Sequence, residues 1–132
     1  MPPEGYPRVS PYVLYEGAEA AIEYLTRAFG FEERLRSEGA AGRVHVELVL
    51  DGDGLVMVGQ AGEGFRSPRS LGAEPPPVLI HVYVEDVEAL HARARAAGAV
   101  DLSELSDAPQ GDRRFSASDP EGHAWYFAQR VR

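Results

Sequence analysis

The chain contains no cysteine, no lysine and no asparagine. The absence of cysteine excludes disulfide bridges, thiolate metal sites and cysteine nucleophiles, and it is typical of a cytoplasmic protein. The absence of lysine excludes a Schiff-base nucleophile. All 13 basic residues are therefore arginine, which we interpret as the bias of a GC-rich genome rather than as a feature of mechanism.

Long apolar runs and an excess of positive charge are also missing. No stretch approaches the roughly 20 apolar residues that span a bilayer, and residues 1–10 are rich in proline rather than signal-like. The 21 acidic residues give a net charge of −8, which repels phosphate backbones and anionic lipids. We therefore expect a cytoplasmic protein that binds neither nucleic acid nor membrane. The acidity would attract a cationic small molecule, although it also serves simply to keep a small domain soluble.

Two segments about seventy residues apart follow one plan. Residues 13–20 and 82–89 each lead an apolar strand into an acidic helix start, and the helices that follow stop at Gly30 and Gly98. A unit this short buries its own sheet poorly, so two copies should pair around a shared concavity. We predict a single domain, 1–132, built from two pseudo-repeats at 8–60 and 78–130 that are joined by a linker at 61–77. The linker is rich in Gly, Pro and Ser, and we interpret it as a connection or a lid.

Hydrophobic periodicity predicts a βαβββ order in each unit. In the first unit the predicted strands are 9–15, 32–38, 44–50 and 55–58, with a helix over 18–29. In the second they are 78–84, 100–106, 113–118 and 124–129, with a helix that Asp86 caps. The predicted fold class is α+β, with the two units forming a curved mixed sheet around a concave cup.

Alternation along the strands assigns side chains to the helix side of the sheet or to the opposite side, which we call the concave face. The residues predicted to pack on the helix side are Val13, Tyr15, Ile80, Val82, Val84, Trp125 and Phe127. The candidate ligand-binding residues on the concave face are Tyr12, His45, Glu47, His81, Tyr83 and Tyr126. Such an aromatic lining favours flat or amphipathic ligands, although aromatic residues are as often plain core.

The two remaining histidines are not candidates for chemistry. His123 follows the turn at Gly122, and we expect it to hydrogen-bond to the backbone. His91 lies on the second helix beside Arg93 and Arg95, and we expect it to be solvated.

The chain resembles the vicinal oxygen chelate superfamily, which includes glyoxalase I, extradiol dioxygenases, fosfomycin-resistance enzymes and bleomycin-binding proteins. The carriers of the resemblance are the helix phrase at 18–31, the strand-to-helix phrase at 81–90, and the Gly-Asp-Arg and Asp-Pro-Glu-Gly-His-Ala-Trp phrases at 111–113 and 119–125. The similarity extends from about Val9 to Arg130 and is greatest to the glyoxalase-like branch. It implies the fold, but function varies widely within the superfamily.

The resemblance also identifies where metal-using members place their ligands, one on each of four strands. Those positions correspond here to Ser10, Val58, Leu79 and Tyr126. None is a usual ligand for a divalent ion, and a phenol stands where the glutamate of the family follows the Asp-Pro-x-Gly turn. The resemblance therefore implies that the standard metal site has been lost and that no cofactor is bound.

Two functions compete on this basis. The first is a small-molecule-binding protein, of sequestration or resistance type, that acts as a homodimer because members of the superfamily usually pair their units within or between chains. The second is a metal-dependent lyase, isomerase or dioxygenase. It would use an altered divalent-metal site at His45, Glu47 and His81, which supply the two imidazoles and one carboxylate of a facial Fe(II) or Zn(II) site.

Overall fold

A computed structural model describes all 132 residues, Met1–Arg132. The first unit contains β1 (Tyr12–Tyr15), α1 (Ala18–Phe29), β2 (Glu32–Glu38), a short 3-10 turn (Ala40–Gly42), β3 (Val44–Leu50) and β4 (Gly54–Gln60). The linker carries α2 (Pro68–Leu71). The second unit contains β5 (Leu79–Tyr83), α3 (Val87–Ala96), β6 (Ser106–Asp107), β7 (Asp112–Ser118) and β8 (Ala124–Arg130).

The strands form two separate four-stranded sheets with matching topology. Their orders are β1-β4-β3-β2 and β5-β8-β7-β6. In each sheet the first strand runs parallel to the last strand of its unit, and the other pairs are antiparallel. This arrangement confirms the α+β class and the tandem of two similar units, while the sheets themselves remain open.

The helices begin and end where local chemistry predicts. Gly30 adopts a left-handed conformation, with φ of 79°, and ends α1, since a residue without Cβ enters that region at little cost. The Asp86 carboxylate accepts a hydrogen bond from the Ala89 amide at 3.0 Å and so caps α3. The buried stripe of α1 includes Ile22 and Leu25, as the helical spacing indicates.

Three strands are shorter than predicted. β5 lacks one predicted residue at each end, and the other two differ more. β1 starts at Tyr12 rather than at residue 9, because Pro11 has no amide hydrogen with which to continue the ladder. The predicted strand at 100–106 is wrong over most of its length: only Ser106–Asp107 pairs as a strand, apart from an isolated bridge between Val100 and Ser118. The chain turns at Asp101, which has a φ of 50°, and Leu102 and Leu105 then pack against the core instead of entering a ladder.

A single core joins the helix sides of both sheets. Trp125 and Phe127 from β8 are fully buried, and both rings contact Phe29 at the end of α1, with centroid separations of 5.9 and 4.8 Å. The residues predicted for the helix side lie in this core or pack against it. The two units are therefore held together through the sides of the sheets that carry the helices.

A buried carboxylate ties the units together inside this core. Asp119 is fully buried and accepts hydrogen bonds from the Tyr15 hydroxyl at 2.6 Å and the Trp125 indole at 3.1 Å. It also accepts from the amides of Glu121 and His123. Burial, together with the charge of Asp119, raises the pKa of Tyr15 well above its ordinary value, so the phenol remains a donor.

The predictions for the two histidines outside the concave faces have different outcomes. His123 hydrogen-bonds through Nε2 to the Leu14 carbonyl at 3.1 Å, as expected of a turn residue. The prediction that His91 is solvated is wrong. Its ring is buried, contacts Phe115 edge to face, and lies 2.8 Å from the Ser103 carbonyl through Nε2, because the segment after α3 folds back over the helix.

The linker is anchored to the start of α1. The Glu16 carboxylate accepts hydrogen bonds from the Ser67 amide at 2.9 Å, the Ser67 hydroxyl at 2.8 Å and the Ser70 hydroxyl at 2.6 Å. These bonds attach α2 to the end of β1. None of the helices has the length and apolar character needed to cross a membrane.

Candidate functional site

The concave face of the first sheet carries a tyrosine–histidine pair. The Tyr12 hydroxyl lies 2.7 Å from Nδ1 of His45, although β1 and β3 are separated by β4. Gly59 on β4 makes this possible, since a Cβ at that position would lie only 2.7 Å from the Tyr12 ring. The missing side chain thus lets the phenol reach across the middle strand.

Glu47, on the same strand as His45, is almost fully covered, with 5% of its surface exposed. Its carboxylate accepts hydrogen bonds from Arg34 at 2.9 and 3.2 Å, and from the Tyr6 hydroxyl at 2.9 Å to each oxygen. The Arg34 guanidinium lies over the Tyr6 ring, 4.7 Å from its centroid. Burial by itself would raise the pKa of Glu47, but the bonds from Arg34 and Tyr6 outweigh it and lower the pKa, so the carboxylate is ionised at neutral pH.

The concave face of the second sheet carries His81, Tyr83 and Tyr126. His81 pairs in register with Tyr126, and its ring lies 5.1 Å from that of Tyr83. The Tyr83 hydroxyl donates to Asp112 at 2.7 Å, and Arg130 donates to the other oxygen at 2.6 Å. The phenol bond and the arginine lower the pKa of Asp112, although burial opposes them. Each concave face therefore carries a group of one phenol, one carboxylate and one arginine.

An open cavity of about 590 Å³ lies on this second face. It is lined by Leu79, His81, Ser103, Glu104, Ser106, Arg114, Phe115, Ser116 and Tyr126. Arg114 has no ion pair, because the neighbouring carboxylates are engaged elsewhere: Asp112 with Arg130, and Glu104 with Arg95. A second, mainly apolar cavity of about 350 Å³ lies between the edges of the units, where Tyr12, Phe65 and Ile80 contribute to its lining.

The structure separates the six predicted site residues into two groups of three. Tyr12, His45 and Glu47 belong to the first sheet, and the other three belong to the second. No hydrogen bond or ring contact links a side chain of one group to a side chain of the other. The shared cup expected from the sequence is therefore not closed within one chain.

The altered metal site proposed from the sequence is not assembled within the chain. No three His, Cys, Asp or Glu side chains are grouped so that they could hold a metal ion, so His45, Glu47 and His81 do not form a ligand set. The bonds from Arg34 and Tyr6 already use both oxygens of Glu47. Strand parity placed the three residues on concave faces, but it contained no information on the distance between the faces.

The four positions inherited from metal-using relatives do not fit a metal either. Val58 is fully buried in the core beside Val13, its partner in register, so it lies on the helix side of the sheet and does not line the concave face. Its neighbours Met57 and Gly59 have the parity of the concave face. Serine, leucine and tyrosine stand at the other three positions, and none of these side chains is a usual ligand for a divalent ion.

Sequence reasoning missed four side chains on or beside the concave faces: Tyr6, Arg34, Asp112 and Arg114. Arg34 lies at a break in the register between β2 and β3, and such a bulge disrupts alternation. Tyr6 belongs to a segment without periodicity, where pattern analysis has no signal. Once Phe115 is known to be buried, alternation along β7 assigns Asp112 and Arg114, which have the opposite parity, to the concave face.

Comparison with known proteins identifies the family. The sequence profile of the Glyoxalase/Bleomycin resistance protein/Dioxygenase superfamily matches residues 12–127. An uncharacterised protein of Mycobacterium bovis is 35% identical over 131 residues, covering 96% of this chain and 85% of the relative. The chain therefore belongs to this superfamily, as the resemblance in its motifs indicated.

Solved structures agree with the assignment. TioX from Micromonospora sp. ML1 is 31% identical, with a TM-score of 0.71 over 93% of this chain and 95% of that protein. The genomically encoded fosfomycin resistance protein FosX from Listeria monocytogenes has a TM-score of 0.65 at 12% identity, over 93% and 92% of the two chains. At that identity the similarity to FosX concerns the fold alone.

Proposed function

We propose that this protein binds and sequesters a flat, amphipathic small molecule on its concave faces, in the manner of a resistance protein, without the standard metal site of its superfamily. One observation carries the proposal: the concave faces present exposed aromatic and imidazole rings, while the inherited ligand positions hold side chains that do not coordinate divalent ions. Aromatic rings offer area for stacking, and their hydroxyls orient a polar edge of the ligand.

The exposure of these rings supports the proposal. Tyr12, which neighbours His45 on the first sheet, is 51% exposed, and Tyr83, which neighbours His81 on the second, is 58% exposed. Exposed clusters of large rings of this kind often mark a binding surface. Tyr126 lines the cavity on the second face together with His81 and Arg114. A ligand that covered these rings would remove apolar surface from water and would find charged groups at the rim.

The working form that we propose is a cytoplasmic homodimer. β1 and β5 are edge strands with exposed apolar side chains, and such edges are usually covered. A second copy of the chain would bring a concave face of one protomer against one of its partner. The binding site would then be completed between the two chains.

Dye binding tests the proposal directly. Protein purified without a chelating column would be titrated by calorimetry with proflavine, a flat cation, and with anilinonaphthalene sulfonate, a flat anion. We expect saturable binding that EDTA does not change. We also expect Tyr126→Ala to weaken it about tenfold, the effect of losing one buried aromatic contact. Leu71→Ala is the matched control, because Leu71 is an exposed apolar residue that lines neither of the two cavities described above.

Elemental analysis of the same protein provides the opposing test. A stoichiometric metal ion that is lost on His81→Ala would overturn the proposal in favour of the altered metal site at His45, Glu47 and His81. Dye binding that EDTA abolishes would have the same consequence.

A further inference from the structure

The segment before β1 lies on the concave face of the first sheet and is attached there by one side chain. Residues 1–11 form no helix or strand. Among residues 1–10, Tyr6 alone makes a side-chain hydrogen bond, and both of its bonds end on Glu47. Val9, near the end of this arm, is 83% exposed.

Tyr6 occupies a site that has the features of a receptor for a phenol. Its hydroxyl donates to an ionised carboxylate, and its ring lies under the guanidinium of Arg34. Hydrogen bonds to charged groups are stronger than neutral ones, and a cation over a ring face adds attraction. The Arg34–Glu47 ion pair, at 2.9 Å, holds the acceptor and the cation in place independently of Tyr6.

The second sheet repeats this combination of a phenol and an arginine that both donate to one carboxylate. There Tyr83 donates to Asp112, which also accepts from Arg130. In that case the phenol belongs to β5 and is part of the sheet. In the first sheet the phenol comes from an arm without secondary structure, so it is removable without breaking a ladder.

From these contacts we infer that Glu47 and Arg34 form a recognition site for the hydroxylated aromatic ring of a ligand, and that Tyr6 occupies this site as an internal substitute until the ligand displaces it. The inference rests on the proposed function and deepens it, since it names phenolic compounds as the ligand class. The arm then competes with the ligand. Tyr6 keeps a buried carboxylate hydrogen-bonded in the free protein, and the apparent affinity for ligand is the intrinsic affinity multiplied by the fraction of time for which Tyr6 is out of the site.

The test uses 4-methylphenol, which reproduces the tyrosine side chain, and toluene, which lacks the hydroxyl. Binding to the full chain is followed by the NMR shift of the Arg34 side-chain Nε–H. We expect Tyr6→Ala to bind 4-methylphenol at least about tenfold more tightly than the wild-type protein, because the competing ring is gone. We also expect it to prefer 4-methylphenol to toluene by about tenfold, and Glu47→Gln in the Tyr6→Ala protein to remove that preference.

Two further variants keep the test decisive. Val9→Ala changes an exposed arm residue and should behave as wild type. Tyr6→Phe keeps the ring but loses the hydroxyl, so its affinity for 4-methylphenol should lie between those of wild type and Tyr6→Ala, even if the alanine variant folds poorly. Equal binding of toluene and 4-methylphenol by Tyr6→Ala would reveal a simple cavity and overturn the inference, as would the absence of any gain over wild type.

The outcome is separable from that of the proposed function. If proflavine or anilinonaphthalene sulfonate binds the wild type through Tyr126 while the Tyr6 and Glu47 variants show no phenol preference, the inference alone fails. If neither dye binds and 4-methylphenol still discriminates between the variants, the site is real and the sequestration proposal fails.

Discussion

Single residues with no side chain, or with a buried charge, determine much of the local structure. Gly59 permits Tyr12 to reach His45 across β4, and Asp119 satisfies two side-chain donors and two amides within the core. The first effect concerns the shape of a surface. The second concerns stability, since both aromatic donors are fully buried and have no other hydrogen-bond partner.

At this scale we predict that Asp119→Ala lowers the free energy of unfolding by about 3 kcal/mol, because the buried hydroxyl of Tyr15 and indole of Trp125 lose their acceptor. Urea denaturation measures the change. Asp53→Ala, in an exposed hairpin turn, should stay within about 0.5 kcal/mol of wild type. A loss at Asp119 below about 1 kcal/mol would contradict the role assigned to this carboxylate.

At the scale of elements, one carboxylate supplies the side-chain hydrogen bonds that join α2 to the first unit. The hydrogen bonds from Ser70 and Ser67 lower the pKa of Glu16 from 4.5 to about 2. Because the folded pKa lies below the unfolded one, the stabilising contribution is complete above about pH 4.5 and is lost as the pH falls toward 2. The contact therefore holds α2 in place over the physiological range.

We expect the amide proton of Ser67 to report this titration. Its NMR shift should follow the protonation of Glu16 with a midpoint near 2, the value to which the pKa is lowered, and the titration should be absent in Glu16→Gln. In that variant the amides of α2 should also exchange faster at neutral pH, because their anchor is gone. Glu63→Gln, at an exposed site in the same linker, is the control. A wild-type midpoint near 4.5 would show that the carboxylate is free.

At the scale of the whole molecule, the two units share a core on their helix sides, and neither concave face packs against the other unit. Within the chain, the arm that carries Tyr6 covers part of the first face. Exposed apolar side chains on β1 and β5 remain available, and the charges near them are largely paired within each sheet. A complete binding cup would enclose these apolar side chains. Their exposure in one chain favours a binding site that is completed by a second chain.

We predict that the wild-type protein sediments at about twice the 14.4 kDa mass of one chain. Leu79→Glu should shift it to the monomer, because a charge would replace an apolar side chain, 52% exposed, at the proposed interface. Leu71→Glu is the matched control: Leu71 is 66% exposed but lies on α2. Circular dichroism would verify that both variants fold. A monomeric wild type at all concentrations, or equal effects of the two substitutions, would rule out the proposed pairing.

Sequence patterns were sufficient for the features that depend on short-range periodicity. The bounds of α1, β2 and β3, the order of elements in each unit and the core positions of Trp125 and Phe127 all follow from alternation, helical spacing and glycine or proline punctuation. The superfamily was recognisable for the same reason, since its motifs are local phrases. The six candidate ligand-binding residues remain a prediction, because residence on a concave face does not demonstrate binding.

Tertiary structure alone decided what the side chains contact. It buried His91 under a returning segment, placed Val58 in the core, paired Glu47 with Arg34 and with Tyr6 from a distant arm, and separated His81 from His45 and Glu47. These outcomes depend on how the sheets and the N-terminal arm pack together. The residues involved are far apart in the sequence, and periodicity contains no information on the distances between such residues. The sequence by itself determined the units and their faces; the packing between the units determined which faces stayed open.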